Sequence, residues 1–265
     1  MNIFLHELRA YRKFTMTWTL SLMAVAILFF AMFPSISRQA EEFKQIIESY
    51  PETLRVALGL SIENIGSILG FYSYIFIYIS VVGAVQAMNL GISIISKEVR
   101  EKTADFLLTK PVTRSKIMTS KLLAALTSLV VTNVLFLGTA TAMALLVETK
   151  PFSITVFLLL SLSLFFIQLI FLALGILLSV LIIKIRSVLS ISLGTVFGLF
   201  FIGALAATTK DDLLRYLSPF KYFNFSYIIQ HSGYESSSLT VAVCFIILSI
   251  VTSYLIYSRK DIHTV

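Results

Sequence analysis

The side chains best placed to do chemistry crowd into residues 97–121, where Lys97, Glu98, Arg100, Glu101, Lys102 and Asp105 precede Lys110, Arg114, Lys116 and Lys121. Drawn as a helix, 98–108 sets Val99, Thr103, Phe106 and Leu107 on an arc of about 100°, the width of a buried face. Glu98, Glu101, Lys102 and Asp105 fall on the other side. An apolar ridge flanked by mixed charge is the chemistry of recognition, with anchors that bury and charges that orient. Catalytic arrangements do not assemble. His6, His231 and His263 are too scattered for a metal site. The single cysteine, Cys244, rules out an intramolecular disulfide. A G-x-S-x-G nucleophile motif is missing, as is the G-x-x-x-x-G-K-[ST] phosphate loop. We therefore expect no catalytic, cofactor-binding or metal-binding residue, and a chain that is not itself an enzyme.

The elements that must hold this loop are apolar. Six stretches, 14–37, 64–96, 122–147, 151–183, 187–209 and 236–258, contain no Asp, Glu, Lys, Arg or His. Each exceeds the roughly 20 residues that a helix needs to cross a bilayer, where helices satisfy their own backbone hydrogen bonds. Only 13% of residues are charged, about half the usual share in a soluble domain. The expected fold is an all-α polytopic membrane protein, a single transmembrane domain over 1–265 with spans near 15–33, 67–96, 122–147, 152–183, 187–209 and 237–258. The first run is too long for a signal-peptide core and lacks a following small-residue cleavage site, so it is expected to stay as an anchor. Uncharged spans argue against proton relays and intramembrane hydrolysis.

The net charge of +7 is lopsided. Segments 1–13, 97–121, 184–186 and 259–265 hold 14 Lys/Arg against five acids, while 34–63, 148–150 and 210–235 hold seven against nine. Basic residues favour the cytoplasmic side, so both termini and the 97–121 loop are expected inside. No basic segment is long enough to make a nucleic-acid groove. Residues 2–14 form an amphipathic pattern: Ile3, Phe4, Leu8, Ala10, Tyr11 and Phe14 share one face, opposite His6, Arg9, Arg12 and Lys13. Leu5 and Glu7 are the exceptions. The pattern fits a helix lying at the interface over 1–14; the alternative is a few basic residues that only set topology. Lys110-Pro111 should stop the loop helix, and Thr113 should cap a helix running into the third span.

Outside, 34–66 and 210–236 are the larger segments. Pro34 is expected to end the first span, and Phe43, Ile46, Ile47 and Tyr50 recur at helical spacing before Pro51, so two short helices are predicted. In 210–235, Leu213, Leu214 and Leu217 precede Pro219, and Phe220, Tyr222, Phe223, Phe225 and Tyr227 follow, a density that reads as an interfacial anchor. Within the second span, Tyr74, Tyr78, Gln86, Asn89 and Ser93 recur at i+3 or i+4 with Val82 bridging. That ladder serves either hydrogen bonds between helices or the lining of a translocation path. Asn133 and Gln168 add one amide each to the third and fourth spans. Gly194, Gly198 and Gly203 would let the fifth span approach another helix closely, as at a dimer interface.

Glu98, Thr103, Leu107-Leu108, Pro111, Arg114 and Lys121, in that order and spacing, resemble the cytoplasmic signature of ABC-2-type permeases, the membrane subunits of ATP-binding-cassette exporters. Tyr50-Pro51-Glu52 through Gly59 and the run Leu217 through Phe223 are similar to that family's outer segments. The resemblance implies a type V ABC exporter-like arrangement in which 97–121 carries a short cytoplasmic coupling helix. Glu98, Glu101, Lys102, Thr103, Phe106, Leu107, Pro111 and Arg114 would engage a separate ABC ATPase. It further implies two such ATPase copies, which bind the ATP and Mg that this chain does not, and a second permease chain, as homodimer or paralogous heterodimer. The expected place is a bacterial or archaeal cell membrane. The expected role is ATP-driven export of an amphipathic or lipid-like cargo, such as a peptide antibiotic, lipid or drug. The alternatives are a non-transporting membrane scaffold that recruits a cytoplasmic partner, or a secondary transporter.

Overall fold

The computed structural model describes residues 3–57, 66–100, 112–148, 150–182, 184–209 and 212–259, and among them the ordered elements are all helical. Six helices are long and apolar enough to cross a membrane: Arg12–Arg38, Ile68–Arg100, Arg114–Leu146, Ile154–Leu181, Val188–Thr209 and Ser236–Arg259. They are the first to sixth spans. Their order places the N-terminal helix Ile3–Ala10 and the end of the sixth span at one end of the bundle, here the terminal end. The connections after the first, third and fifth spans lie at the distal end.

The second and fourth spans form the centre. In each, more than half of the apolar window is buried, 67% and 61%, against 28% or less in the other four. A helix that is apolar all round belongs inside, and the only polar side chains of the fourth span are Thr155, three serines and Gln168. The two helices touch at Gly91 and Gly175. A Cβ on Gly91 would lie 2.6 Å from the Leu172 carbonyl oxygen, and one on Gly175 would lie 2.7 Å from that of Met88. Only glycine permits this backbone approach. The first span packs on the third, the fifth on the second, and the sixth on the fourth.

One local expectation meets a correction. The first helix does not end at Pro34 but continues to Arg38. Proline removes one helical donor, yet the ladder closes again beyond it, with Gln39 N–H donating to the Ser35 carbonyl at 3.3 Å. The N-terminal helix is held by the bundle itself. It packs chiefly on the third span, and its most buried side chain is Glu7, while Leu5 is 45% exposed. The joint to the first span is the single residue Tyr11.

At the distal end, Ala40–Glu48 and Glu52–Ala57 are the two short helices expected around Pro51. The aromatic segment behaves otherwise than as an interfacial anchor. After helix Asp212–Leu217, the 3-10 turn Pro219–Lys221 dips into the bundle and helix Phe225–His231 leaves it. Phe220 packs on Phe171 and Phe200, Phe223 stacks on Phe166 at 5.7 Å between ring centres, and Phe225 meets Phe76 edge-on. Non-helical backbone is tolerated at this depth only where protein satisfies it. Here Ser218 Oγ donates to the Leu199 carbonyl at 2.8 Å and Tyr222 OH to that of Tyr216 at 2.6 Å. Arg215 pairs with Glu235 and closes the segment. Desolvation pushes the Glu235 carboxyl upward, but hydrogen bonds from Ser237, Arg215 and Ser238, with the Arg215 charge, hold it below its ordinary value.

Candidate functional site

Residues 101–111 and the side chains of 98–100 lie outside the described residues, so Glu98, Glu101, Lys102, Thr103, Phe106, Leu107 and Pro111 do too. The two roots of their loop are defined. The second-span helix extends to Arg100, about one turn past the end of its uncharged run at Ser96. The third-span helix opens at Arg114 behind Thr113, whose Oγ1 accepts the Lys116 N–H at 3.3 Å, the cap anticipated from sequence. A helix of 33 residues is about 50 Å long, well beyond the roughly 30 Å of hydrocarbon, so both roots are stiff helical extensions of spans.

The roots are cross-linked. Lys121 is fully buried, donates to the Ile94 carbonyl of the second span and lies 3.7 Å from the Glu7 carboxylate. Beside it, Tyr11 OH and Ser93 Oγ are hydrogen-bonded at 3.0 Å, and Lys97 Nζ stands 5.8 Å from the centre of the Tyr11 ring. One more residue of the sequence-derived ladder, Ser93, is thereby engaged with the N-terminal joint.

The rest of that ladder divides. At 100° per residue, Gln86 is turned about 120° from Tyr74, and the structure uses the difference. Tyr74 and Tyr78 stay partly exposed and meet edge-on at 5.7 Å. Asn89 is half-buried. Gln86 is fully buried and belongs to an uncharged network through four spans. Its Nε2 donates to Thr132 Oγ1 at 3.1 Å, and its Oε1 accepts from Gln168 Nε2 at 3.0 Å. Asn133 Nδ2 donates to Gln168 Oε1, and Thr19 joins Thr132 at 2.8 Å. These groups fix helix register in an apolar medium; as neutral amides and hydroxyls they carry no titratable proton.

The three glycines of the fifth span also divide. A Cβ on Gly194 or Gly198 would meet nothing within 4 Å, so both present open surface. Gly203 is already occupied: its Cβ would stand 2.5 Å from Ser218 Oγ, under the dipping turn. Gly203 therefore packs within the protomer. Sequence reasoning missed Gly91 with Gly175, and Glu7 with Lys121. The second pair did leave a signal, an acid on the apolar face of the 2–14 pattern.

Among the described residues, no group of three or more His, Cys, Asp or Glu could hold a metal. A bundle of six apolar helices, with buried amides in its middle and charge at its ends, defines a polytopic helical membrane protein. The family model for ABC-2 family transporter proteins matches residues 1–262, and the chain belongs to that family. It is thus a membrane permease component of an ABC transporter. ABC-2 permeases work with an ATPase subunit and dimerise. None of the curated proteins matches the sequence.

Proposed function

We propose that this chain is the permease subunit of an ATP-driven exporter, docked through the 97–121 loop to a separate cytoplasmic ATPase. The observation that carries the reading is the pair of loop roots: two helical extensions of neighbouring spans, tied together by Lys121 at Ile94. A loop on such roots transmits force, where a slack connection would absorb it. The excess of Lys/Arg on the terminal-end segments supports a cytoplasmic location for that end. Two ATPase copies would bind ATP and Mg, close on one another and draw on Phe106 and Leu107, with Glu98, Glu101, Lys102 and Arg114 setting orientation. Gly194 and Gly198 offer the open face for a second permease chain. The uncharged, weakly polar interior supports an amphipathic or lipid-like cargo, and Tyr74, Tyr78 and Asn89 mark the face of the second span open to it.

Burying Phe106 and Leu107 in a partner contributes roughly 1.5–3 kcal/mol each, so their joint loss weakens docking more than tenfold. The expected result is that Phe106→Ala with Leu107→Ala releases the ATPase in a pull-down. Insertion is controlled by impermeant labelling of intact cells in a Cys244→Ala background, which should reach Ser37→Cys and spare Thr109→Cys. Retained ATPase binding by the double variant would refute the docking role of the loop.

A further inference from the structure

Two opposite charges lie where neither water nor lipid headgroups reach them. Glu7 is 4% exposed and Lys121 is fully buried. Lys121 Nζ stands 3.7 Å from Glu7 Oε1 and donates to the Ile94 carbonyl, while Glu7 Oε2 is buried with no hydrogen-bond partner among the described residues.

Such a pair is a poor device for stability. Desolvation offsets its attraction, and an apolar pair of similar volume would hold the helices at least as well. What charge adds is register. Sliding the N-terminal helix by one turn, about 5.4 Å, would separate the two groups and leave the Glu7 carboxylate buried without its counter-charge. Apolar surfaces slide with far less penalty. The ammonium also joins three elements at once: the N-terminal helix through Glu7, the second span through Ile94, and the third span that carries it. Those two spans are the ones that the 97–113 loop connects. The contact of Tyr11 with Ser93 at 3.0 Å, one turn further along, ties the N-terminal joint to the second span as well.

We infer that Glu7 and Lys121 are positioning residues, a charge clasp that makes the N-terminal helix travel with the roots of the 97–113 loop. The clasp itself is a property of the permease; only its effect on nucleotide turnover rests on the proposed ATPase coupling. When the loop is drawn by its partner, the helix Ile3–Ala10 moves as one body with the inside ends of both spans. Because a single residue, Tyr11, separates that helix from the first span, the motion reaches the first span without passing through the membrane core.

The test places spin labels at Arg9→Cys and Lys116→Cys, both exposed, on the full-length chain in a Cys244→Ala background. In lipid nanodiscs without ATPase, the parent should give one narrow distance. Glu7→Gln and Lys121→Met should each broaden it, and the compensating pair Glu7→Asp with Lys121→Arg, which keeps both charges, should narrow it again. With the ATPase bound, Mg-ATP and orthovanadate should leave the parent distance narrow. Permease-dependent ATP hydrolysis should fall about tenfold in Glu7→Gln while the ATPase still co-purifies. The apolar pair Glu7→Leu with Lys121→Met separates register from packing: it should insert and purify normally, yet show the broadened distance and the lost turnover. Full turnover and a narrow distance in that apolar pair, or in Glu7→Gln, would overturn the clasp. Failure of the parent to bind any ATPase would overturn the permease coupling instead, and the label distances alone would then decide the clasp.

Discussion

Gly198 and Gly203 sit five residues apart on one helix and face different things. A side chain at Gly198 enters open space, whereas a Cβ at Gly203 lands 2.5 Å from Ser218 Oγ and 3.0 Å from Ser218 Cβ. Gly203→Ala must therefore push Ser218 off the Leu199 carbonyl, and overpacking of this kind costs about 1–3 kcal/mol. Gly198→Leu should leave the protomer's thermal unfolding almost unchanged and abolish cysteine crosslinking between copies; Gly203→Ala should do the reverse. Unfolding in detergent together with crosslinking separates them, and a loss of crosslinking in both would return Gly203 to the interface. The spacing of Gly194 and Gly198 was readable because helix geometry is periodic. The role of Gly203 was not, because its neighbour is set by a turn that begins after the span ends. Glu7 was visible as an anomaly on an apolar face, but its partner lies 114 positions away, and no local rule reaches that far.

Among the elements, the aromatic turn departs most from expectation. Aromatic density after Pro219 has two physical outcomes, since the same rings suit a headgroup layer or a protein core. The choice here falls to the core because Phe166, Phe171 and Phe76 supply faces and edges at the matching depth. Phe223 is 3% exposed and touches both Phe166 and Tyr234. Phe223→Ala should then destabilise the protein by about 3–5 kcal/mol, as core aromatic truncation does. A ring resting at the lipid interface would cost far less. Thermal unfolding in nanodiscs distinguishes the two, and a change below about 1 kcal/mol would restore the anchor reading. The existence of six spans, in contrast, was legible, because hydropathy acts over twenty residues at a time and tolerates local errors; their ends were less so, since the first helix runs on to Arg38 and the third begins at Arg114. Pro34 shows the limit: a proline three or four residues from the end of a helix removes a donor without dictating where the chain turns away.

At the scale of the molecule, the number of spans and the common end shared by the N-terminal helix and the sixth span followed from composition and parity. Which spans occupy the centre was less plain. All six runs are uncharged, so polarity alone does not rank them; the ranking comes from small residues and amides, Gly91, Gly175, Gln86 and Gln168, that let two particular helices close on each other. That closure has a mechanical consequence. Gly91 and Gly175 meet with no side chain between the backbones, so rocking of the second span against the fourth would take this contact as its fulcrum. It is off centre. Gly91 stands nine residues from Arg100 and 23 from Ile68, arms of about 14 Å and about 35 Å at 1.5 Å per residue. With those arms, a small push at the terminal end would be returned roughly 2.5 times larger, and in the opposite direction, at the distal end. Under the proposed ATPase coupling, label pairs bridging these two spans above and below the glycines should change with opposite sign when the ATPase complex is given nucleotide, the distal pair by more. Gly91→Leu, by wedging the pivot, should bring both changes to zero; distances that shift together in the parent would mean the spans slide and do not rock.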